Sequence, residues 1–306
     1  MSIKKLIVGL TLSLVLPSLS AIAGDLDKGL DAYNKGDFAT TLSNWRPLAE
    51  QGDEFVQTYL AYMYANGIGV LENDRIAADW YTKAAEQGNA LAQYNLGIMY
   101  ADGKGVIEND KIAVYWYTKA AEQGLAEAQY NLGKNHDIGR GVLENDKTAA
   151  FWFTKAAEQG HARAQYNLGH MYYNGEGVLK NNKVASDWYT KAAEQGNALA
   201  QYNLGIMYAD GKGVIENDKI AVYWYTKAAE QGNALAQFNL GVKYALGQGT
   251  LKNSRSAYMW FNLASYNGME RSMAAKNKIA KEMTPADISK AQDMSSRCLE
   301  SNYTDC

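Results

Sequence analysis

Hydrophobic and polar positions follow two periods along this chain: a short one that marks helices, and a long one of 36 residues that repeats the whole pattern. In the stretch Asn89–Gly124, Gln93, Leu96, Gly97 and Tyr100 fall at i, i+3, i+4 and i+7 and so share one face of a predicted helix. Asn89 is placed to cap that helix, which ends near Ala101. Gly97 sits on the packed face, where a missing side chain lets a neighbouring helix come close. Asp102-Gly103-Lys104-Gly105-Val106 then breaks the helix, because glycine takes backbone conformations that other residues resist. Asp110 is predicted to cap a second helix, on which Ala113, Trp116, Tyr117, Ala120 and Ala121 form a broad apolar stripe that ends at Gly124. Neither helix can bury its stripe alone. Successive hairpins must therefore stack into one continuous core.

The long period carries the architecture. Gln51-Gly52 recurs as Gln87-Gly88, Gln123-Gly124, Gln159-Gly160, Gln195-Gly196 and Gln231-Gly232, and Asn267-Gly268 continues the series. Trp80, Trp116, Trp152, Trp188, Trp224 and Trp260 keep the same step. Six repeats follow at 53–88, 89–124, 125–160, 161–196, 197–232 and 233–268, and Asp79–Gly124 recurs letter for letter as Asp187–Gly232. Residues 24–52 read as an N-terminal capping hairpin with Trp45 inside and Pro47 bending its second helix. Residues 269–306 read as a C-terminal cap: one helix over Met269–Met283, then another capped by Thr284 with Pro285 at its first position.

Residues 1–23 have the form of a secretory signal. Lys4 and Lys5 precede an apolar run from Leu6 to Leu16, and Ala21-Ile22-Ala23 offers a cleavage site before Gly24. That run is too short to span a bilayer comfortably, and no later segment approaches the ~20 apolar residues a span needs. The expected mature chain is periplasmic or secreted, without a membrane span. Its two cysteines, Cys298 and Cys306, lie close together at the end, where an oxidising compartment would let them form a local disulfide. The net charge of −3 comes with no cluster of Lys or Arg on one face, so nucleic acid is not an expected partner.

Candidate chemistry thins out on inspection. The Gly-x-Gly loops follow helices instead of strands and lack the third glycine or the Gly-Lys-Ser/Thr of a phosphate cradle. Asp102, Glu108 and Asp110 do not have calcium-loop spacing, and His136, His161 and His170 form no i, i+4 pair. No metal, cofactor or catalytic residue is expected.

The run from Ala90 to Val106 together with Ala113 to Gly124 resembles the Sel1-like repeat, a relative of the tetratricopeptide repeat. The resemblance implies an all-α fold, a right-handed superhelical α/α solenoid of 36-residue helix-turn-helix repeats. It also implies an interaction scaffold in the bacterial envelope or at a host surface, with a protein or peptide partner. Cysteine-rich members of this family are associated with penicillin binding or hydrolysis, which suggests an envelope enzyme as the alternative; their cysteine pair per repeat is missing here.

In tetratricopeptide-like solenoids the first helices line the concave side. If Gln93, Leu96, Gly97 and Tyr100 face the core, then Leu91, Tyr94, Asn95 and Ile98 face away from it. The candidate groove therefore carries a tyrosine column (Tyr94, Tyr130, Tyr166, Tyr202, then Phe238) and an asparagine column (Asn95, Asn131, Asn167, Asn203, Asn239). Duplication alone could also have written identical columns. The two middle repeats depart from the others: Glu127 and Arg163 replace Leu91 and Leu199, and Lys134 and His170 replace Ile98 and Ile206. His136 stands where Tyr100, Tyr172 and Tyr208 stand. These four charged or titratable positions form a second candidate patch, with drift at exposed sites as the competing account.

Export is expected to remove residues 1–23. The intact mass of periplasmic protein checks this: a chain beginning at Gly24 is expected, and one beginning at Met1 would count against the reading.

Overall fold

The computed structural model describes residues 20–306, and the protein is an all-α repeat solenoid. Most of the predicted leader, residues 1–19, lies outside the described residues; Ala23 and Gly24 fall within the first helix, α1 (Ser20–Lys35). The helices that follow are α2 (Phe38–Glu50), α3 (Glu54–Asn66), α4 (Asp74–Glu86), α5 (Ala90–Asp102) and α6 (Asp110–Glu122). Next come α7 (Ala126–Ile138), α8 (Asp146–Glu158), α9 (Ala162–Asn174), α10 (Asn182–Glu194), α11 (Ala198–Asp210) and α12 (Asp218–Ala229). The chain closes with α13 (Ala234–Leu246), α14 (Ser254–Tyr266), α15 (Arg271–Ala280) and α16 (Pro285–Glu300). It divides within α6 into two compact units, one ending at Trp116 and one running from Tyr117 to Cys306.

In the first unit, α1 and α2 close over Trp45, which is fully buried and stacks on Tyr33 at 5.7 Å. Gly29 makes this possible, since a Cβ there would collide with the indole. Asp37 caps α2 by accepting from the Thr40 N–H, and α2 runs on through Pro47. Ala61, Ala77, Tyr81, Ala84, Ala92 and Leu96 of α3, α4 and α5 make the next layer, with Trp80 and Trp116 packed against it.

The cap of α6 differs from the sequence expectation. Asn109, not Asp110, accepts the N–H groups of Lys111 and Ile112, and Asp110 is the first helical residue. Asn73, Asn145, Asn181, Asn217 and Asn253 do the same for the other second helices. Asparagine at that position satisfies a helix-end donor, and in α4, α6, α8 and α12 an aspartate one place later faces the positive end of the helix dipole.

In the second unit the repeats are joined by a relay of buried glutamines. Gln165 donates to the carbonyl of Ala157 at the end of the preceding helix (3.1 Å), and its own side-chain oxygen accepts from Gln195 at 2.7 Å. Gln129 and Gln201 repeat both bonds, to Ala121 and Ala193 and from Gln159 and Gln231. Gln237 bonds Ala229 and receives Asn267, which in turn accepts from the Tyr303 hydroxyl at 2.9 Å. The first unit holds the same rung at Gln57, between Ala49 and Gln87. Close approach supplies the apolar half of each repeat. Gly169 lies flat against the ring of Tyr189, where a Cβ would sit 2.8 Å from the ring edge.

The C-terminal cap seals the last repeat. Helix α15 spans Arg271–Ala280, shorter at both ends than the expected Met269–Met283, because no side chain caps its start and Lys281–Met283 form turns before Thr284. Thr284 caps α16 through the Asp287 N–H, with Pro285 at the first position. Cys298 is buried and disulfide-bonded to Cys306, with 4.6 Å between their Cα atoms. This bond ties down the turn that presents Tyr303 to Asn267.

Two outcomes test this account. Gln165→Ala should cost about 1–2 kcal/mol, because Ala157 loses its side-chain donor and keeps only the backbone N–H groups of its own helix end, while Gln195→Ala at the exposed end of the rung should cost less than about 1 kcal/mol. Hydrogen exchange across α8 and α9 would localise the loss. The second concerns His161, which caps α9 by accepting the Ala164 N–H on Nδ1 and stacks on Tyr130 at 4.5 Å. That bond requires an unprotonated Nδ1. Burial, with Arg163 assisting and Glu127 opposing, holds the imidazole below its ordinary range. The unfolded chain therefore takes up the proton first, so this contribution is intact above about pH 6.5 and is lost as the pH falls. His161→Asn, which installs the cap found at Asn197 and Asn233, should flatten that part of a urea-midpoint titration between pH 7.5 and 5.5; an unchanged slope would exclude His161 as the source.

Candidate peptide-binding groove

The first helices of the second unit present the predicted columns, yet not as free-standing side chains. Tyr130, Tyr166, Tyr202 and Phe238 are half-buried. Each ring leans on the aromatic of its own second helix: Tyr130 on Phe153 (5.9 Å), Tyr166 on Tyr189 (5.9 Å), Tyr202 on Tyr225 (6.2 Å) and Phe238 on Phe261 (5.5 Å). Burial pushes the hydroxyls of Tyr130, Tyr166 and Tyr202 upward. The asparagines are engaged as well. Each sits close enough to a tyrosine hydroxyl to oppose part of its rise: Asn167 at Tyr130 of the repeat before it, Asn203 at Tyr166 and Tyr189, and Asn239 at Tyr225. In the first unit Leu91, Tyr94, Asn95 and Ile98 are half-buried too. The expectation that these positions face away from the core is thus corrected. The packed stripe on a first helix is wider than four positions, taking in Ala92 and Met99 as well as Gln93, Leu96 and Gly97.

The middle repeats hold most of the charge on this face. Arg163 is exposed and its charge opposes the rise at the Tyr130 hydroxyl, while Glu127 acts on His161 from the half-buried start of α7. Lys134 is exposed, Asn131 is half-buried, and His170 is exposed, with Nδ1 3.3 Å from Glu176. Asn174 donates to the other oxygen of Glu176 at 2.9 Å. His136 is half-buried, with an Nδ1 that is buried and has no hydrogen-bond partner among the described residues. Burial holds its pKa down. Beside it the Asp137 carboxyl is pushed up by burial and by Asp146 and Glu176, with His170 opposing. This end of α7 is where the repeat departs most from its neighbours, and Asn135 is buried there in place of a methionine.

Where α9 meets α11 the face opens into a pocket of about 210 Å³. Tyr166 and Asn203 of the predicted columns and His170 of the predicted patch line it, joined by Tyr173, Asn174 and Tyr189, which were not expected there. Their signal was present: Tyr173 and Asn174 stand where the duplicated repeats carry Ala101 with Asp102 and Ala209 with Asp210. The lining offers aromatic faces and amides, plus one imidazole tied to a carboxylate. That is an arrangement for holding a polypeptide by stacking and amide hydrogen bonds. No group of three His, Cys, Asp or Glu side chains among the described residues is placed to hold a metal ion.

Known proteins place the chain. The Sel1 repeat pattern matches six times, at residues 56–89, 90–125, 126–161, 162–197, 198–233 and 234–269. Among solved structures, a Sel1 repeat protein from Oxalobacter formigenes is 36% identical with a TM-score of 0.68, over 78% of this chain and 96% of that one. The protein c5321, a protective antigen present in uropathogenic Escherichia coli strains and displaying an SLR fold, is 34% identical with a TM-score of 0.63, over 91% of this chain and 68% of that one. No curated protein matches. Six tandem matches in register with the helical hairpins establish that the chain belongs to the Sel1 repeat family.

Proposed function

We propose that this protein is an exported, non-catalytic scaffold that docks an extended segment of a protein partner on the first-helix face of its second unit. Sel1 repeat proteins are generally scaffolds for protein–protein interaction, which supports the class. The observation that carries the location is the pocket over Tyr189, where Tyr166, His170 and Asn203 from successive repeats converge. The exposed Lys134 and Arg163 extend the same face toward α7. Export is supported by the charged, apolar and small-residue order of residues 1–23, and a protective antigen among the similar chains fits a place within reach of a host. No helix among the described residues is long and apolar enough to cross a membrane. The enzymatic alternative has no cysteine framework in the repeats to stand on.

The test begins with a pull-down from the envelope fraction to identify the partner. His170→Ala with Tyr173→Ala, and separately Lys134→Ala with Arg163→Ala, should leave helicity unchanged. Each pair should lower capture tenfold or more, equivalent to at least ~1.4 kcal/mol. Undiminished capture by both pairs would move the docking site off this face.

A further inference from the structure

The loop after each Gly-x-Gly carries a feature that stacking and the groove leave unused. In the second unit Leu143, Leu179, Ile215 and Leu251 occupy one register, and each is between 87% and 91% exposed. Single exposed leucines are ordinary; four in one register with almost no contact with their own chain are not. The loops that carry them touch. The second glycine of each lies against the first residue of the preceding second helix, Gly177 on Asp146, Gly213 on Asn182 and Gly249 on Asp218, so closely that a Cβ would overlap the backbone carbonyl. The four aliphatic knobs therefore stand along one continuous ridge.

Charge along this ridge alternates. The residue after each knob is Glu144, Lys180, Glu216 and Lys252 in turn; all four are exposed, and none forms an ion pair among the described residues. The alternation rests on these four residues: four places beyond each knob Lys147, Lys183, Lys219 and Arg255 keep one sign, and Lys183, Asp218 and Arg255 are paired within the chain to Asp187, Lys243 and Asp287. Charges earlier in the same loops are already engaged within the chain: Glu176 with His170 at 3.3 Å and Lys212 with Asp210 at 2.9 Å. Beside the third knob lies an open hollow of about 760 Å³ lined by Lys183, Tyr208, Val214, Ile215 and Ile220.

A row that reads acidic, basic, acidic, basic is complementary to itself when reversed. We infer that this ridge is the face on which a second copy of the chain docks, antiparallel across a twofold axis. That axis passes between Leu179 and Ile215. The Leu143 step of one copy then faces the Leu251 step of the other, and the Leu179 step faces the Ile215 step. Every Glu meets a Lys and every knob meets a knob, as the isologous contact of a twofold dimer requires. Each knob contributes on the order of 100 Å² of apolar side chain, so the four, with the charged residues beside them, supply a small, salt-sensitive interface. Duplication does not account for the alternation, since Leu179-Lys180-Asn181-Asn182 and Leu251-Lys252-Asn253-Ser254 are not copies of each other. The first unit carries Leu71 and Ile107 in the same register but beside Glu72 and Glu108, so the alternation is a property of the second unit.

Sedimentation equilibrium of the full chain tests this, with circular dichroism confirming that each variant is folded. The wild-type chain should form a dimer whose dissociation constant rises with salt. Lys180→Glu sets like charges together at both central contacts and should weaken the dimer tenfold or more. Lys180→Glu with Glu216→Lys exchanges the charges across the axis and should restore it to within about threefold, an outcome that a parallel or unrelated interface does not give. A chain that stays monomeric at low salt on the order of 100 µM overturns the inference. So does a dimer indifferent to Lys180→Glu or not rescued by the exchange, and so does a monomer whose ridge instead captures an unrelated protein. None of these results touches the groove on the first-helix face.

Discussion

The structure depends on one repeated arrangement, the buried glutamine that reaches back across each repeat boundary. Stacked hairpins bring the C-terminal carbonyls of one second helix against the first helix of the next repeat, where water cannot reach them all. An apolar residue there would fill the space but leave the polar group without its second partner. Gln129, Gln165, Gln201 and Gln237, each nearly inaccessible, solve this with the nitrogen of their side chain, and the oxygen is taken by the next glutamine or asparagine along the chain. Each rung thus ties three helices together and fixes the distance at which the apolar layers meet. The C-terminal cap is built around the last rung: Tyr303 supplies the final donor, and the disulfide keeps it in place.

Seen from this relay, the small and aromatic residues follow. A fixed boundary leaves little room between a first helix and its own second helix, so glycine faces an aromatic ring at Gly133, Gly169, Gly205 and Gly241. Alanine lines the rest: Ala156, Ala157, Ala164, Ala192, Ala193 and Ala200 are all buried. Most of the apolar area then comes from a few large rings between thin helices. The burial of Trp45 against Tyr33 and Tyr59 shows the N-terminal hairpin using the same economy without the repeat motif.

Much of this was legible in the sequence. The 36-residue step and the 3.6-residue stripes located the hairpins, and the paired glycines located the loops. The first-helix cap at Asn89 and the Thr284–Pro285 start of α16 were also legible, because each uses a local rule. What stayed hidden depends on neighbours distant in sequence. Asp110 and Asn109 are both competent caps, and only the path of the backbone selects Asn109. Gln93 could be assigned to the packed face, but its bond to the Ala85 carbonyl cannot be read from spacing. The tyrosine column was visible as a column; its contact with the second helix was not, since a helical wheel shows direction and not which direction another helix occupies. The exposed aliphatics escaped notice because they sit in loops, where neither helical nor strand period applies.

This division between consumed and unconsumed positions bears on where function can reside. Residues that recur through the second unit are the ones stacking uses: the glutamines, the helix glycines, and the aromatic column with the asparagines beside it. A substitution there disturbs two boundaries at once, so such positions have little freedom to adapt to a ligand. Positions that stacking leaves free are the ones that differ. Glu127, Lys134, Arg163 and His170 differ on the first-helix face, and Glu144, Lys180, Glu216 and Lys252 differ along the loop ridge. The two sets lie on different elements, one on first helices and the other in the turns after them. A rigid array built this way can change either surface without repacking its core, provided that the Gln165 and Gly169 positions between them are kept.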